Sequence, residues 1–265
     1  ELLEIMRLVL VAAERLRPDL EAAKSLTAAE REHLVGCRLV SHDFRWLDPG
    51  RALLTDPARS ISVMVNEEDH LRVQALSAGW SLGTALSAAE ACVEALGSEL
   101  RFAEDATFGY LAASPYNAGL GRRLSCMLHL IGLATSKRLP TVMRALASHG
   151  LSARGLYGES SRAVGAFVQV SLVGGRREDF CGAVDYLIAE ERLARASIGR
   201  DKLDERTRSA AQFAIGSRAL WLADALRVLA WFRWAACEAI PGFGASPREL
   251  DAIIATLDHR ADDAM

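Results

Sequence analysis

Residues 66–72, Asn-Glu-Glu-Asp-His-Leu-Arg, place three acids, a histidine and an arginine within one short stretch. The stretch directly follows residues 60–65, Ser-Ile-Ser-Val-Met-Val, whose apolar residues alternate in the pattern of a half-buried strand. Charged groups at the exit of a core strand often bind ligands or take part in catalysis. The competing interpretation is a solvated acidic turn, because most runs of charge simply face water.

Three loops carry arginines at the edges of predicted strands, at Arg72, Arg122–Arg123 and Arg154. Arginine suits phosphate because its planar guanidinium is always charged and can bond two oxygens at once. The glycines within 119–121 let the backbone approach a ligand closely. We predict that this loop opens a helix at 122–130, whose free N–H groups favour an anion. The loop has no Gly-Lys-Ser/Thr sequence, so it is not a Walker loop.

The composition is that of a globular protein, with 51% hydrophobic and 25% charged residues in a chain of 265. The net charge of -3 provides no general attraction to nucleic acid or to an anionic membrane, and we predict neither as a partner. The five cysteines are odd in number and widely spaced, which favours reduced thiols and a cytoplasmic location. No cysteine and histidine spacing typical of a metal site occurs, so no protein-bound metal is predicted.

The hydrophobic periodicity predicts a chain that begins with mixed helices and strands and ends in helices alone. A capping box, Thr27 to Glu30, should open the second helix. The change near residues 195–203 predicts two domains, 1–200 and 201–265. The predicted helices are 1–17, one from residue 28, 83–98, 122–130, 139–149 and most of the chain after 178, and the predicted strands are 60–65, 107–113, 152–156 and 166–173.

Three motifs in order make a more specific pattern than any one of them. They are Asn-Glu-Glu-Asp-His-Leu-Arg at 66–72, Pro-x-Asn-x-Gly-x-Gly-x-Arg at 115–123 and Arg-Gly-Leu-Tyr-Gly-Glu at 154–159. Together they resemble the ATP:guanidino phosphotransferase (phosphagen kinase) family, which includes creatine and arginine kinases. The third motif resembles the one typical of the bacterial branch of the family. The enzymes of that branch phosphorylate arginine side chains and so mark proteins for Clp degradation. The resemblance covers roughly residues 30–200 well.

The resemblance implies an α+β fold, with an antiparallel sheet flanked by helices in the catalytic domain and a small all-helical domain after it. It implies ATP as the nucleotide, with Mg2+ carried by that nucleotide. Arg72, Arg123 and Arg154 would bind the phosphates, and the loop residues Ser114 and Asn117 would lie beside the acceptor. The remaining implied nucleotide-binding residues are Leu124, Ser125, Cys126, Met127, Gly155, Leu156, Tyr157, Gly158 and Glu159.

The acceptor guanidinium has a pKa above about 12, so a carboxylate must hold it and take its proton as the N–P bond forms. By the resemblance, Glu68 is that base, and Glu67 is its partner or a structural support. Glu67 is alternatively no more than a solvated acid. For His70, packing at the strand end or a hydrogen bond to a carbonyl is the alternative to a functional role.

The sequence departs from the family pattern at several places. Ser114 stands where the family has its reactive cysteine, Tyr116 and Leu120 stand at threonine positions, and Arg38 replaces a nucleotide-contacting histidine. The family's N-terminal Ser-Ser-Arg-x-Arg segment has no counterpart, and we expect the catalytic domain to lack it. The family's C-terminal Arg-Asp-x-x-Arg-Ala pocket is also not found.

Three functions remain open from the sequence. The first is ATP-dependent phosphorylation of arginine side chains in proteins, with the Clp protease machinery and a homodimer as expected partners. The second is a catalytically impaired pseudokinase or adaptor that recognises arginine or phosphoarginine. The third is a kinase of a free guanidino compound. Retention of Glu67, Glu68, Arg72, Arg123 and Arg154 favours catalysis, whereas the missing N-terminal arginines favour the adaptor, unless the sequence is a fragment of a longer chain.

Overall fold

The computed structural model describes residues 1–23, 27–41, 44, 46–155 and 164–257. The fold is α+β, with antiparallel strand pairs and helices, as predicted. Contacts between residues group the chain into two compact units, Glu1–Gly121 and Arg122–Met265. The predicted domain boundary at 200/201 lies within the second unit and stays a prediction. Among the described residues, no helix combines the length and the apolar character that crossing a membrane requires.

The first unit contains a four-stranded antiparallel sheet in the order β1-β2-β3-β4 and a separate two-stranded hairpin, β5-β6. The predicted capping box at Thr27 and Glu30 is confirmed at the start of the second helix. The elements are α1 (Leu2–Leu16), β1 (Glu21–Ala22), α2 (Ala28–Gly36), β2 (Ala52–Thr55), β3 (Ile61–Val65), β4 (Leu71–Ala75), α3 (Leu82–Gly97), β5 (Glu104–Asp105) and β6 (Gly109–Tyr110).

Strand β3 lies at the centre of the first unit, and all five of its residues are buried. Val63 packs on one side in a cluster with residues of α1 and α3. Met64 packs on the other side with Leu39 and other residues of the segment before β2. The prediction of a half-buried strand was therefore wrong, because a polar residue such as Ser62 is buried by donating its hydroxyl to the Leu39 carbonyl, at 2.6 Å.

The second unit contains a three-stranded antiparallel sheet in the order β7-β9-β8, followed by a helical region. Phe167 at the start of β9 shares a buried cluster with Leu226 and Trp234, which both lie in the helix Leu222–Cys237. The elements are β7 (Arg123–His129), α4 (Ile131–Thr135), α5 (Leu139–Ala147), β8 (Leu151–Arg154), a 3-10 turn (Val164–Ala166), β9 (Phe167–Val173), α6 (Arg177–Ile198), α7 (Arg200–Gly216), α8 (Leu222–Cys237) and α9 (Pro247–Thr256).

Two of the element predictions differ from the structure. The helix predicted at 122–130 is wrong, because this segment is β7 and pairs with β9 along its whole length. The strand predicted at 107–113 is observed only at Gly109–Tyr110. The chain turns at Gly109, the first residue of this strand, which has a left-handed φ of +70°. The strand predicted at 152–156 is observed as β8, and its last predicted residue, Leu156, lies outside the described residues.

Candidate functional site

The acidic turn, residues 66–70, connects β3 to β4 in the first unit. It is closed by a hydrogen bond from the Asn66 amide to the His70 carbonyl, at 3.1 Å. Asn66 has a left-handed φ of +58°, which asparagine tolerates better than most residues. Its side-chain amide donates to the carbonyls of Leu2, at 3.0 Å, and Gly50, at 2.5 Å. The buried Asn66 therefore fixes the position from which the acids project.

His70 supports this turn. Its Nδ1 lies 2.9 Å from the side-chain oxygen of Asn66. Because the amide NH2 of Asn66 is already used by two carbonyls, its oxygen is the acceptor, and Nδ1 of His70 carries the hydrogen in this network. The structure thus agrees with the interpretation of His70 as a residue hydrogen-bonded at the strand end, here to a side-chain carbonyl.

Glu67 is held by its neighbours in the turn. Its Oε2 accepts from the Glu68 backbone N–H, at 3.0 Å, and from Arg72 Nη1, at 3.4 Å. Burial raises the pKa of Glu67, but the Glu68 amide, the charge of Arg72 and the hydroxyl of Ser41 outweigh it and keep that pKa below its ordinary value. Glu67 is therefore ionised at neutral pH and is engaged in positioning Arg72.

Glu68 differs from Glu67 although the two are adjacent. It is exposed, and its carboxylate accepts no hydrogen bond or ion pair from any of the residues that the structure describes. The two acids therefore have separate chemical capacities. Glu67 stabilises an arginine of the protein, whereas Glu68 offers an open carboxylate to a cationic group from solvent.

Ser41 is a contributor that the sequence reasoning missed. Arg72 Nη1 donates to its Oγ at 3.2 Å, next to the contact with Glu67. The segment before it is fastened to the sheet, because the side chain of Gln74 donates to the Arg38 carbonyl at 2.6 Å. No local signal marks Ser41, since its partner is 31 residues away in sequence.

Asp69 connects the acidic turn to the loop predicted to lie beside the acceptor. Its Oδ1 accepts from the Ala113 backbone N–H at 2.6 Å, immediately before Ser114. The loop is turned by a hydrogen bond from the Asn117 amide to the Ser114 carbonyl, at 2.9 Å. The structure thus brings the predicted substrate loop to the predicted catalytic acids, and Asp69 is the residue that does so. Sequence reasoning gave Asp69 no role.

The polar face of the second-unit sheet contains two of the predicted phosphate arginines. Residues directly opposite each other in adjacent strands share a face. The register of β7 and β8 on β9 therefore puts Arg123 and Arg154 on one face. By strand geometry their Cα atoms are roughly 17 Å apart. The other polar residues of this face are Ser125, Ser152, Gln169 and Ser171, and the same register also places Met127, His129, Phe167 and Val173 on it.

Hydrogen bonds connect Arg123 to this polar face. Its Nη2 donates to Ser171 Oγ at 2.9 Å, and Ser171 Oγ is also 2.9 Å from Ser125 Oγ. The opposite face of the same sheet is apolar, and Leu124 and Val170 on it are buried. The face that bears Arg123 is therefore polar around Ser125 and Ser171, whereas its end at Phe167 packs in the core with α8.

The backbone of β7 is used in two different ways. The pairing of β7 with β9 has a backbone hydrogen bond at each end, from the Gly174 N–H to the Arg122 carbonyl and from the Leu130 N–H to the Ala166 carbonyl. Bonded pairs alternate along an antiparallel ladder, so Leu124 and Cys126 bond to β9, and the N–H groups of Ser125 and Met127 point away from it. Residues 124–127 are the backbone predicted to contact phosphate, and among them only the N–H groups of Ser125 and Met127 point away from β9.

Arg154 ends β8, and Gly155 after it is buried. The other predicted nucleotide-binding residues of this loop, Leu156, Tyr157, Gly158 and Glu159, lie outside the described residues. Among the residues that are described, no group of three or more histidine, cysteine, aspartate or glutamate side chains could hold a metal ion. The ligand-binding roles assigned to all of these positions stay predictions.

Comparison with protein families gives a match over most of the chain. Residues 5–174 match the family described as ATP:guanido phosphotransferase, C-terminal catalytic domain. A protein-arginine kinase of Shouchella clausii (strain KSM-K16) is 36% identical over 189 residues, which cover 69% of this chain and 53% of that protein. A protein-arginine kinase of Bacillus cereus (strain AH820) is 33% identical over 225 residues, covering 81% of this chain and 63% of that protein.

Solved structures show the same fold. The duplicated taurocyamine kinase from Schistosoma mansoni with bound transition state analog components aligns with a TM-score of 0.64 and 22% identity, covering 72% of this chain and 30% of that one. Lombricine kinase aligns with a TM-score of 0.60 and 21% identity, covering 74% and 60%. The chain spans between about half and two thirds of the length of the curated relatives named above. From the family match over residues 5–174, the chain belongs to the ATP:guanido phosphotransferase family.

Proposed function

We propose that this chain catalyses ATP-dependent phosphorylation of arginine side chains in proteins. The observation that carries the proposal is the contrast within the acidic turn, where Glu67 is bound to Arg72 and Glu68 is exposed with an open carboxylate. The similarity to proteins named protein-arginine kinase supports proteins as the substrate class. A carboxylate that is presented to solvent beside a fixed arginine suits a cationic acceptor and an anionic donor together.

In the proposed reaction, a guanidinium nitrogen of the substrate attacks the γ-phosphorus of ATP. An N–P bond forms, the bond from the γ-phosphorus to the bridging oxygen breaks, and ADP leaves. The guanidinium proton passes to Glu68, which acts as the general base. Glu67 holds Arg72 in place, and the negative charge of both acids attracts the substrate arginine. Phosphoryl transfer requires mainly positioning and neutralisation of charge, which these groups supply.

For the nucleotide, we propose that Arg72, Arg123 and Arg154 bind phosphate. Guanidinium groups are the appropriate donors, because they bond phosphate oxygens in pairs and do not lose their charge. The outward N–H groups of Ser125 and Met127 and the backbone of residues 155–159 complete the proposed contacts. Mg2+ enters with ATP and lowers the charge on its phosphates.

Ser114 and Asn117 are proposed to lie beside the acceptor arginine in the loop that Asp69 holds. Serine can hydrogen-bond a guanidinium but cannot supply a thiolate. The proposal also includes a reducing cytoplasmic location, supported by five cysteines that are all free. A homodimer and the Clp protease machinery as a partner rest on the resemblance to the bacterial branch.

The test is incubation of the chain with Mg-ATP and an arginine-rich unfolded protein, with acid-labile phosphate on arginine as the product measured. Glu68→Gln should abolish transfer while nucleotide binding, followed by fluorescence of an ATP analogue, persists. Glu94→Gln is the matched control, because Glu94 is exposed on α3 in the same unit and should leave transfer unchanged.

Each alternative function predicts a different result in this assay. Unaltered transfer by Glu68→Gln would remove Glu68 as the base. Faster transfer to free arginine than to protein would select a kinase of a free guanidino compound. Binding of arginine-rich protein without any transfer would select the adaptor.

A further inference from the structure

The loop beside the acidic turn exposes large apolar side chains. Leu111 is 51% exposed, Tyr116 is 61% exposed and Leu120 is 58% exposed. We call these three residues the apolar rim. Single exposed apolar residues are common on proteins, whereas exposed apolar side chains that form one patch mark a surface that binds something.

The apolar rim is presented by a fixed piece of backbone. Tyr110 and Gly119 exchange two backbone hydrogen bonds, at 2.8 and 2.9 Å, which close the base of the loop. Leu111 directly follows Tyr110 and Leu120 directly follows Gly119, so this pairing fixes the backbone next to both leucines. The Tyr110 ring packs against Phe102 instead, with ring centroids 6.1 Å apart. The exposed side chains are therefore held outward rather than left over from a loose loop.

A hydrogen bond joins the loop that carries the apolar rim to the acidic turn. The Ala113 backbone N–H donates to the Asp69 carboxylate at 2.6 Å, and Glu68 immediately precedes Asp69 in the turn. Leu111 and Tyr116 are two and three residues from Ala113, so their Cα atoms lie within about 11 Å of it. An extended peptide advances about 3.3 Å per residue. Residues two to four positions from an arginine at Glu68 can therefore reach the apolar rim.

We propose that the apolar rim binds apolar side chains that flank the target arginine in an extended segment of a protein substrate. The inference rests on the proposed function and names the substrate class of the same site. The two parts of this surface suit two parts of such a segment: the open carboxylate of Glu68 suits the arginine, and the apolar rim suits its apolar neighbours. A free guanidino compound is too small to use both, whereas an unfolded protein segment presents apolar residues that a folded one buries.

The test uses two fluorescent peptides with one central arginine, flanked two to four residues away by leucine and phenylalanine in one and by serine and glycine in the other. Anisotropy gives Kd for the full chain, and phosphate transfer gives kcat/KM. The apolar peptide should bind about tenfold tighter, as expected when one or two apolar side chains are partly buried. Tyr116→Ser and Leu120→Ser should each reduce this preference severalfold, and Tyr116→Phe should retain it.

Leu193→Ser is the matched control, since Leu193 is 62% exposed on α6 in the other unit and should keep the full preference. Equal Kd values for the two peptides, or a preference that survives both rim substitutions, would overturn the inference. A preference that depends on the apolar rim with phosphate transferred to neither peptide would support the docking surface and overturn the proposed kinase activity instead.

Discussion

Glu191 of α6 offers the sharpest prediction about how β7 is held in the second unit. It is 6% exposed and accepts hydrogen bonds from the backbone N–H groups of Gly132 and Leu133, at 2.8 and 2.9 Å. It also pairs with Arg195 Nε at 2.6 Å. Arg195 in turn donates to the carbonyl of His129, the last residue of β7, at 3.0 Å. One carboxylate therefore caps α4 and orients the arginine that holds the end of the strand.

Replacing Glu191 with alanine removes one partner of a buried ion pair and leaves Arg195 without its carboxylate. Such changes cost about 3–5 kcal/mol, because the remaining charge is left without compensation. The two amides of α4 lose their acceptor in the same step, and unsatisfied buried donors cost about 1–3 kcal/mol. These contributions overlap, so we expect the free energy of unfolding to fall by about 4 kcal/mol, against about 5–15 kcal/mol for a typical protein.

The measurement is urea unfolding followed by circular dichroism. Glu190→Ala is the matched control, because Glu190 is the adjacent residue and its ion-pair partner, Arg138, is about half exposed. That substitution should cost no more than about 1 kcal/mol. Glu191→Gln should lie between the two, since it keeps an acceptor oxygen and loses the charge. A loss for Glu191→Ala as small as that for Glu190→Ala would refute the reasoning.

Three further predictions concern the acidic turn and the polar face. Asp69→Ala should raise KM for a protein acceptor about three- to tenfold, because one hydrogen bond that positions the loop is lost. KM for ATP should stay the same. Asp69→Asn keeps an acceptor oxygen, so its KM for the protein acceptor should stay close to that of the unchanged chain. Arg123→Lys should weaken ATP binding about tenfold, because lysine keeps the charge but not the two-pronged geometry, whereas Arg248→Lys on α9 should leave the measured Kd unchanged. Glu67 has a pKa below its ordinary value of 4.5 in the folded protein, so its contribution to stability is present above that value and is lost as the pH falls through the lowered pKa. Urea unfolding at a series of pH values should therefore show a shallower loss of stability below about pH 4.5 in Glu67→Gln than in the unchanged chain; identical slopes would contradict the pairing with Arg72.

Local sequence patterns predicted the elements whose stability is local. The capping box at Thr27, the amphipathic helix α1 and the helix α3 all follow from nearest-neighbour chemistry and helical periodicity. The helix prediction for 122–130 was wrong for a definite reason. Its apolar residues satisfy a helical spacing at 124, 127 and 128 and also an alternating one at 124, 126 and 128. Pairing with β9, more than thirty residues later, decides in favour of the strand.

The amino-acid sequence by itself determined the family, because three motifs in a fixed order carry the residue types that phosphoryl transfer to a guanidinium requires. It also named Glu67, Glu68 and Arg72 as one cluster, since they are close neighbours in the chain. Only the tertiary structure decided which acid is occupied and which is open, because that depends on Ser41 and on the fold of the turn. Hydrogen bonds between residues far apart in the chain, such as Asp69 with Ala113, have no local pattern, and packing alone creates them.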